Sequence, residues 1–371
     1  MRTIPELLKL RTWRSLLLSL LLGFLAPLPV HAAQTPADPA IGAASRPKLQ
    51  SIRRIVFLGD SITQAGDYVT DVQCWLCAQR ANVEVLNLGL GSETATDLTP
   101  QENASHLEKF GFGRPFLSER LDRVLEAAKP DLLFACYGMN DGSNLPSDAS
   151  GDRRFANAIT RLRESALRSG VKRVVICTPP VHDARQHPGL QPHDESLTRY
   201  TSWLLSRRAS GWDVVDIHTP MRRSLDEGRS SDPSFMYAQD GVHPDRRGHW
   251  IMAREILKQF FGADLKGATR AEELFPVHGP EIRKLISKRS KLLFDAWMTE
   301  LTHTRPGVPG GPGAKPGALT VCQAQARAVE ITAEIVRLRC NTNSPSALSN
   351  EHAIPAGKLE GSETLTHKNE I

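Results

Sequence analysis

Four short motifs carry residue types suited to acyl transfer. Gly59-Asp60-Ser61-Ile62-Thr63 follows the apolar run RRIVFL, which places Ser61 at a strand end leading into a helix. A serine hydroxyl is a weak nucleophile by itself, so position matters: at the mouth of a sheet it is exposed, with its backbone N–H free to face a substrate. Late in the chain, Asp240-Gly241-Val242-His243-Pro244 precedes a last helical pattern. A neutral imidazole is the natural base for a serine, and a carboxylate three residues earlier on the same loop can hold its other ring nitrogen. Asn140 lies in Tyr137-Gly138-Met139-Asn140-Asp141-Gly142, just after the run DLLFAC. Its amide can donate to the oxyanion of a tetrahedral intermediate, a contact typically worth ~3 kcal/mol. Asn87-Leu88-Gly89-Leu90-Gly91-Ser92-Glu93-Thr94 ends another apolar run, and its glycines would let a main-chain N–H approach the substrate as a further donor. Singly, each motif is ordinary turn or loop composition. Together they fall at four strand ends in the order nucleophile, backbone donor, Asn donor, acid and base.

Positioning such a set requires strands that end side by side. Arg54 to Leu58, Val83 to Leu88, Asp131 to Cys136, Arg173 to Thr178 and Asp213 to Ile217 are short and apolar on both faces, the pattern of parallel strands covered by helices. Helical spacing of apolar residues occurs between them over Tyr68 to Ala81, Leu117 to Ala128, Arg153 to Ser169 and Asp194 to Arg208, and finally over Arg247 to Phe261. The alternation predicts an α/β fold: a flavodoxin-like three-layer α/β/α sandwich around a five-stranded parallel sheet of order 2-1-3-4-5. In such sheets the working loops lie at the carboxyl ends of the strands, where the four motifs fall. Pro280 to Leu301 and Thr320 to Arg339, separated by the turn-rich Arg305 to Gly317, predict a C-terminal helical hairpin. The expected organisation is a signal peptide over 1–32, a linker over 33–50, the sandwich over 51–265, the hairpin extension over 266–340 and a disordered tail over 341–371.

With these motifs in place the chain resembles the SGNH hydrolases, the GDSL-type esterases and lipases, from about Arg54 to Phe261. GDSIT, GMND and DGVHP match that family's first, third and fifth blocks. The resemblance implies a catalytic triad of Ser61 as nucleophile, His243 as general base and Asp240 as its orienting acid. It also implies an oxyanion hole from the Ser61 N–H and the Asn140 side-chain amide, with Gly138 shaping the Asn-bearing turn. The second block departs from the family's Asn-x-Gly-x-x-Gly-x-Thr: Ser92 stands at the second glycine and Gly91 lies one position early. Either Gly91 or Ser92 can supply the remaining N–H. NLGLGSET, ACYGMNDG and the later AW…HTRPG are similar to an exported bacterial subgroup of the family. In the hairpin, His303 and Arg305 are expected as helix-end residues before the Pro-Gly break; folding back of the hairpin would instead bring them toward the site.

Composition excludes several other classes. The net charge of +5 owes much to Arg2, Lys9, Arg11 and Arg14, which precede a leucine-rich run, Pro27, Pro29 and a small-residue site ending at Ala32. That is the plan of a signal peptide cleaved after Ala32, leading to a periplasmic or secreted protein without stable membrane insertion. The remaining charge is too slight and too scattered for nucleic-acid binding. Cys74 and Cys77 form a CxxC, but no second pair completes a zinc site and the motif does not open a helix after a strand; they read as two cysteines on an amphipathic helix. No metal or other cofactor is called for. The expected activity is hydrolysis of a carboxylic ester through a serine acyl-enzyme, with a small acyl group such as acetyl on a carbohydrate as substrate. A lipase or lysophospholipase, an arylesterase, a thioesterase, a non-catalytic carbohydrate-binding relative and a thiol oxidoreductase built on Cys74 and Cys77 are the alternatives.

Overall fold

The computed structural model describes residues 46–185 and 191–341; the expected signal peptide, the linker up to residue 45 and the tail from residue 342 lie outside them. The five expected strands form as β1 (Arg54–Gly59), β2 (Glu84–Asn87), β3 (Leu132–Cys136), β4 (Arg173–Cys177) and β5 (Asp213–Val215). They make one sheet of order β2-β1-β3-β4-β5 with every neighbouring pair parallel, as the alternating pattern predicts. Ile55 to Leu58 and Leu132 to Cys136 are buried on both faces, which is why these strands read as unbroken apolar runs. At the centre Phe57 of β1 stacks on Phe134 of β3 with ring centroids 4.8 Å apart.

The helices follow as α1 (Ser61–Ala65), α2 (Asp67–Ala78), α3 (Pro100–Phe110), α4 (Leu121–Ala128), α5 (Met139–Asn144), α6 (Ala149–Arg168), α7 (Gln191–Ser206), α8 (His218–Ser231) and α9 (Arg246–Glu255). The last passes into a π-helical turn over Ile256–Phe261. Helix α2 packs with α9, and α6 with α4 and α7, as the two helical layers of a covered parallel sheet. Neither α3 nor α8 shows in the apolar pattern. Helix α3 buries only His106, and α8 only His218, Met221 and Leu225, one of them a histidine, so α3 has no apolar stripe and that of α8 is too sparse to read. What starts α3 is a capping box in which Thr99 Oγ1 accepts from the Glu102 N–H and the Thr99 N–H donates to Glu102 Oε2.

The extension is the expected antiparallel pair, α10 (Gly279–Leu301) and α11 (Val321–Cys340). Helix α10 packs against α2 and covers the edge strand β2, removing an exposed sheet edge. Its attachment is ionic as well as apolar. Asp71 of α2 is fully buried and receives Arg283 of α10 at 2.8 Å and Arg246 of α9 at 3.1 Å, while Arg283 also reaches Asp67 at 2.6 Å. Burial pushes the Asp71 carboxyl above its usual range, and the two guanidinium groups oppose that shift. Cys74 and Cys77 lie on α2 as free thiols.

Removing one partner from a buried ion pair leaves an uncompensated charge, which typically costs ~3 kcal/mol or more. Arg283→Ala leaves the buried Asp71 with Arg246 as its one remaining cation, so it is expected to lower the urea midpoint by an amount equivalent to about 2 kcal/mol, less than a full unpairing. Lys291→Ala, which breaks a solvent-exposed pair with Asp295, should shift it by less than about 1 kcal/mol. Equal shifts for the two variants would show that the Asp71 contact does not anchor α10.

Candidate active site

Ser61 is the first residue of α1, directly after β1. Asp60 caps the helix, its carboxylate accepting the Ile62 N–H at 2.9 Å. The turn demands glycine at position 59, because a Cβ there would sit 2.6 Å from the Cys136 carbonyl oxygen and closer still to the Thr63 hydroxyl. Helix α1 is thus pressed against the ends of β1 and β3. As the first helical residue, Ser61 keeps an N–H with no intrahelical acceptor.

The loop before α9 brings His243 to this serine. His243 Nε2 lies 2.7 Å from Ser61 Oγ, and His243 Nδ1 lies 2.6 Å from Asp240 Oδ2. The other Asp240 oxygen accepts the main-chain N–H groups of Val242 (2.9 Å) and His243 (2.8 Å), so the carboxylate and the ring are fixed by one turn. Burial pushes the Asp240 carboxyl upward, but the hydrogen bonds from the His243 side chain and from the two N–H groups outweigh it and hold the group well below the usual carboxylate range. Asp240 in turn raises the His243 pKa above its ordinary 6.5, against the effect of partial burial. With Nδ1–H donating to Asp240, the neutral ring presents the Nε2 lone pair to the serine hydroxyl. Both side chains remain open to solvent, at 41% for His243 and 37% for Asp240.

The two donor loops close around the same point. Gly138 adopts φ +128° and turns the chain so that α5 begins beside it, with Asn140 in its first turn. Asn140 Nδ2 donates one hydrogen to the Glu93 carbonyl oxygen at 2.9 Å, and its second hydrogen is left for another acceptor. In the loop after β2, the Gly91 N–H already donates to Gln64 Oε1 at 2.6 Å. Ser92 sits at φ +66°, in the left-handed region that glycine occupies without strain, and its N–H finds no acceptor among the described residues.

A nucleophile, a base, an orienting acid and amide donors thus converge at the carboxyl edge of the sheet. The GDSL-like lipase/acylhydrolase family model matches residues 57–251, a span from β1 to α9 that holds Ser61, Asn140, Asp240 and His243. The chain belongs to that family. No curated protein matches it. Among solved structures, a gut microbial diltiazem-metabolizing enzyme is 23% identical, with a TM-score of 0.45 over 58% of this chain and 49% of its own; this chain spans about half the length of that enzyme. A catalytic mutant of an acetylxylan esterase from Geobacillus stearothermophilus is 20% identical, with a TM-score of 0.42 over 56% of this chain and 94% of its own. A lipase/acylhydrolase from Enterococcus faecalis is 20% identical, with a TM-score of 0.41 over 57% of this chain and 96% of its own.

Within this GDSL-like domain the loops rest on a buried ionic bracket absent from the sequence reading. The Glu93 carboxylate receives Arg120 Nε at 2.5 Å and Nη2 at 2.7 Å, together with the Tyr137 hydroxyl at 2.6 Å. Arg120 also donates to the Leu88 carbonyl at 2.8 Å. Beside it, the Asp141 carboxylate accepts the N–H groups of Ala95 and Thr96 at 3.2 and 2.9 Å. The second block is thereby tied to the third, and Asn140 to the Glu93 main chain. Glu93 and Asp141 flank the expected donors, a usable signal; Arg120 and Gln64 carried none, because a single cation or amide in a helical pattern reads as a surface residue. Of the hairpin residues, His303 is buried at the end of α10 and donates to the Pro309 carbonyl at 2.9 Å. Arg305 is not confined to the helix end: its Nε lies 3.8 Å from where a Cβ of Gly91 would be.

The positive φ at Ser92 yields a test. Ser92→Gly should relieve backbone strain and stabilise the protein by roughly 0.5–1 kcal/mol, while Ser92→Val should destabilise it by at least as much. Thermal unfolding of both variants checks this. A destabilising Ser92→Gly would mean that the side chain, not the backbone, dominates at this position.

Proposed function

We propose that the protein hydrolyses carboxylic esters through an acyl-enzyme on Ser61. The observation that carries this reading is the continuous relay from Ser61 Oγ to His243 Nε2 (2.7 Å) and from His243 Nδ1 to Asp240 (2.6 Å). His243 takes the hydroxyl proton as Oγ bonds to the ester carbonyl carbon, then returns it to the departing alcohol. Water repeats the sequence on the acyl-enzyme: His243 takes its proton, the hydroxyl oxygen adds to the acyl carbon, and the proton passes to Ser61 as the acid leaves. Asp240 stabilises the imidazolium without taking the proton. The oxyanion is received by the N–H groups of Ser61 and Ser92 and by the uncommitted Asn140 hydrogen; the engagement of Gly91 by Gln64 favours Ser92 as the second main-chain donor.

For the substrate, the reading is a small acyl group, acetyl above all, on a carbohydrate. The partly exposed triad, and the polar Gln64, Arg114 and Arg305 against the Gly91–Ser92 loop, suit a polar alcohol better than a long acyl chain. The leader-like start of the sequence supports action outside the cytoplasm.

p-Nitrophenyl acetate, longer acyl esters and acetylated xylan or pectin fragments form the test panel. Acetyl esters are expected to be cleaved best. Ser61→Ala should lower kcat by at least ~10³-fold and Asn140→Ala by about 10²-fold. Long-chain esters cleaved faster than acetates would overturn the substrate reading, and residual activity in Ser61→Ala above about a per cent would overturn the acyl-enzyme.

The pH dependence follows from the shift at His243. Only the neutral ring accepts the serine proton, so kcat/KM is expected to rise with pH through a midpoint above 6.5. Asp240→Asn removes the carboxylate that raises this pKa, and the midpoint should move down. A midpoint unmoved by that variant would separate Asp240 from the base.

A further inference from the structure

The loop carrying the oxyanion donors is flanked by two guanidinium groups that the hydrolytic reaction does not use. Arg114 Nη1 donates to the Ser92 carbonyl oxygen at 3.3 Å, from the segment that follows α3. Arg305 approaches the same loop from the break between α10 and α11. Its Nε is 3.8 Å from the Cβ position of Gly91, its Nη1 donates to the Pro306 carbonyl at 2.6 Å, and its guanidinium carbon lies 4.1 Å above the Phe112 ring centroid. Both residues are partly buried, and the Nε of each is shut off from solvent without a hydrogen-bond partner. Among the described residues no carboxylate stands within ion-pair distance of either, whereas Arg120, Arg173, Arg229 and Arg283 each have one.

Desolvated guanidinium charge is normally neutralised by the fold. Here it is not. Burial lowers the Arg114 pKa to about 10, the distant carboxylates of Asp141 and Asp60 only partly offsetting it. His106, between Phe110 and Phe112, is pushed down to about 4 by burial, with Arg114 and Arg305 adding to the effect, so it is neutral and adds no charge of its own. The positive charge lies against Gly91 and Ser92, the loop whose main chain supplies the proposed oxyanion donor.

We propose that Arg305 and Arg114 form a subsite for a carboxylate on the substrate, so that the preferred esters are acylated acidic sugars, with the uronate carboxylate near the acyl-bearing hydroxyl. This rests on the esterase reading and narrows its substrate. A guanidinium braced on an aromatic ring is prepared for such a group, because little side-chain freedom is lost on binding. The C-terminal hairpin thereby has a role in the site: the turn after α10 delivers Arg305 to the rim, and α10 and α11 fix that turn to the domain.

The experiment compares kcat/KM on acetylated oligogalacturonides and on acetylated xylo-oligosaccharides, for the native enzyme, Arg305→Gln and Arg114→Lys. Native enzyme should prefer the acidic substrate by about tenfold or more, the range of one charge-assisted contact, and lose part of that preference as salt rises. Arg305→Gln should lower the acidic-to-neutral ratio at least about fivefold, mainly through KM, and Arg114→Lys, which keeps the charge, should lower it less. A glycerophosphate-bearing acyl ester distinguishes the anion: faster cleavage of it than of the uronate would overturn the carboxylate assignment. If acetate esters of both sugars are cleaved equally, or Arg305→Gln slows both alike, there is no anion subsite although the esterase reading stands. If p-nitrophenyl acetate itself is not cleaved, it is the esterase reading that fails.

Discussion

The hydrogen bond from Ser61 to His243 joins residues 182 positions apart, and no local turn can make it. Its two ends come from the first strand of the sheet and from the loop that follows the last strand and its helices. Only a fold that returns both to one edge can hold Oγ and Nε2 within hydrogen-bond reach. The parallel sheet does this by construction, since each strand–helix–strand crossover returns the chain so that all carboxyl ends lie along the same edge. The asymmetry of the molecule follows: helices and apolar residues fill the two faces, and polar chemistry gathers at one rim.

Holding the rim still requires charge in the interior. Glu93, Arg120 and Tyr137 are each at or below 1% exposure, and their bonds lock the second donor loop to the third. A buried ion pair of this kind contributes little net stability against an apolar alternative, yet removing one member leaves a charge unpaired. The bracket therefore fixes geometry more than it stabilises the fold. Asp71 with Arg246 and Arg283 does the same for the C-terminal extension, which in turn sets the position of Arg305. Arg114 and Arg305 differ from these brackets in having no carboxylate within ion-pair distance among the described residues.

Much of this was legible in the sequence for physical reasons. Strands buried on both faces have to be apolar throughout, so β1, β3 and β4 announced themselves, and the sheet order followed from the alternation with helices. The serine and asparagine were legible because their motifs coincide with strand ends; the aspartate and histidine were legible from the Asp-Gly-Val-His motif alone, since α8 separates them from the end of β5 and the expected strand-end placement does not hold for them. Helices α3 and α8 were not, since they bury few side chains and a capping box, not an apolar stripe, starts α3. The choice between Gly91 and Ser92 was equally closed to sequence, because it depends on where the Gln64 amide points and on the sign of one φ angle. Partners such as Arg120, 27 positions from Glu93, have no local signature at all.

In the proposed mechanism His243 and Asp240 act on Ser61 as one unit, joined by the bond from Nδ1 to Oδ2. A double-mutant cycle tests it directly, with kcat measured on one acetyl ester for His243→Ala, Asp240→Asn and both together. If Asp240 works only through the ring it orients, the double variant should be slower than His243→Ala by no more than about threefold. Losses that multiply, so that the double variant falls by the product of the two single effects, would place Asp240 outside the relay.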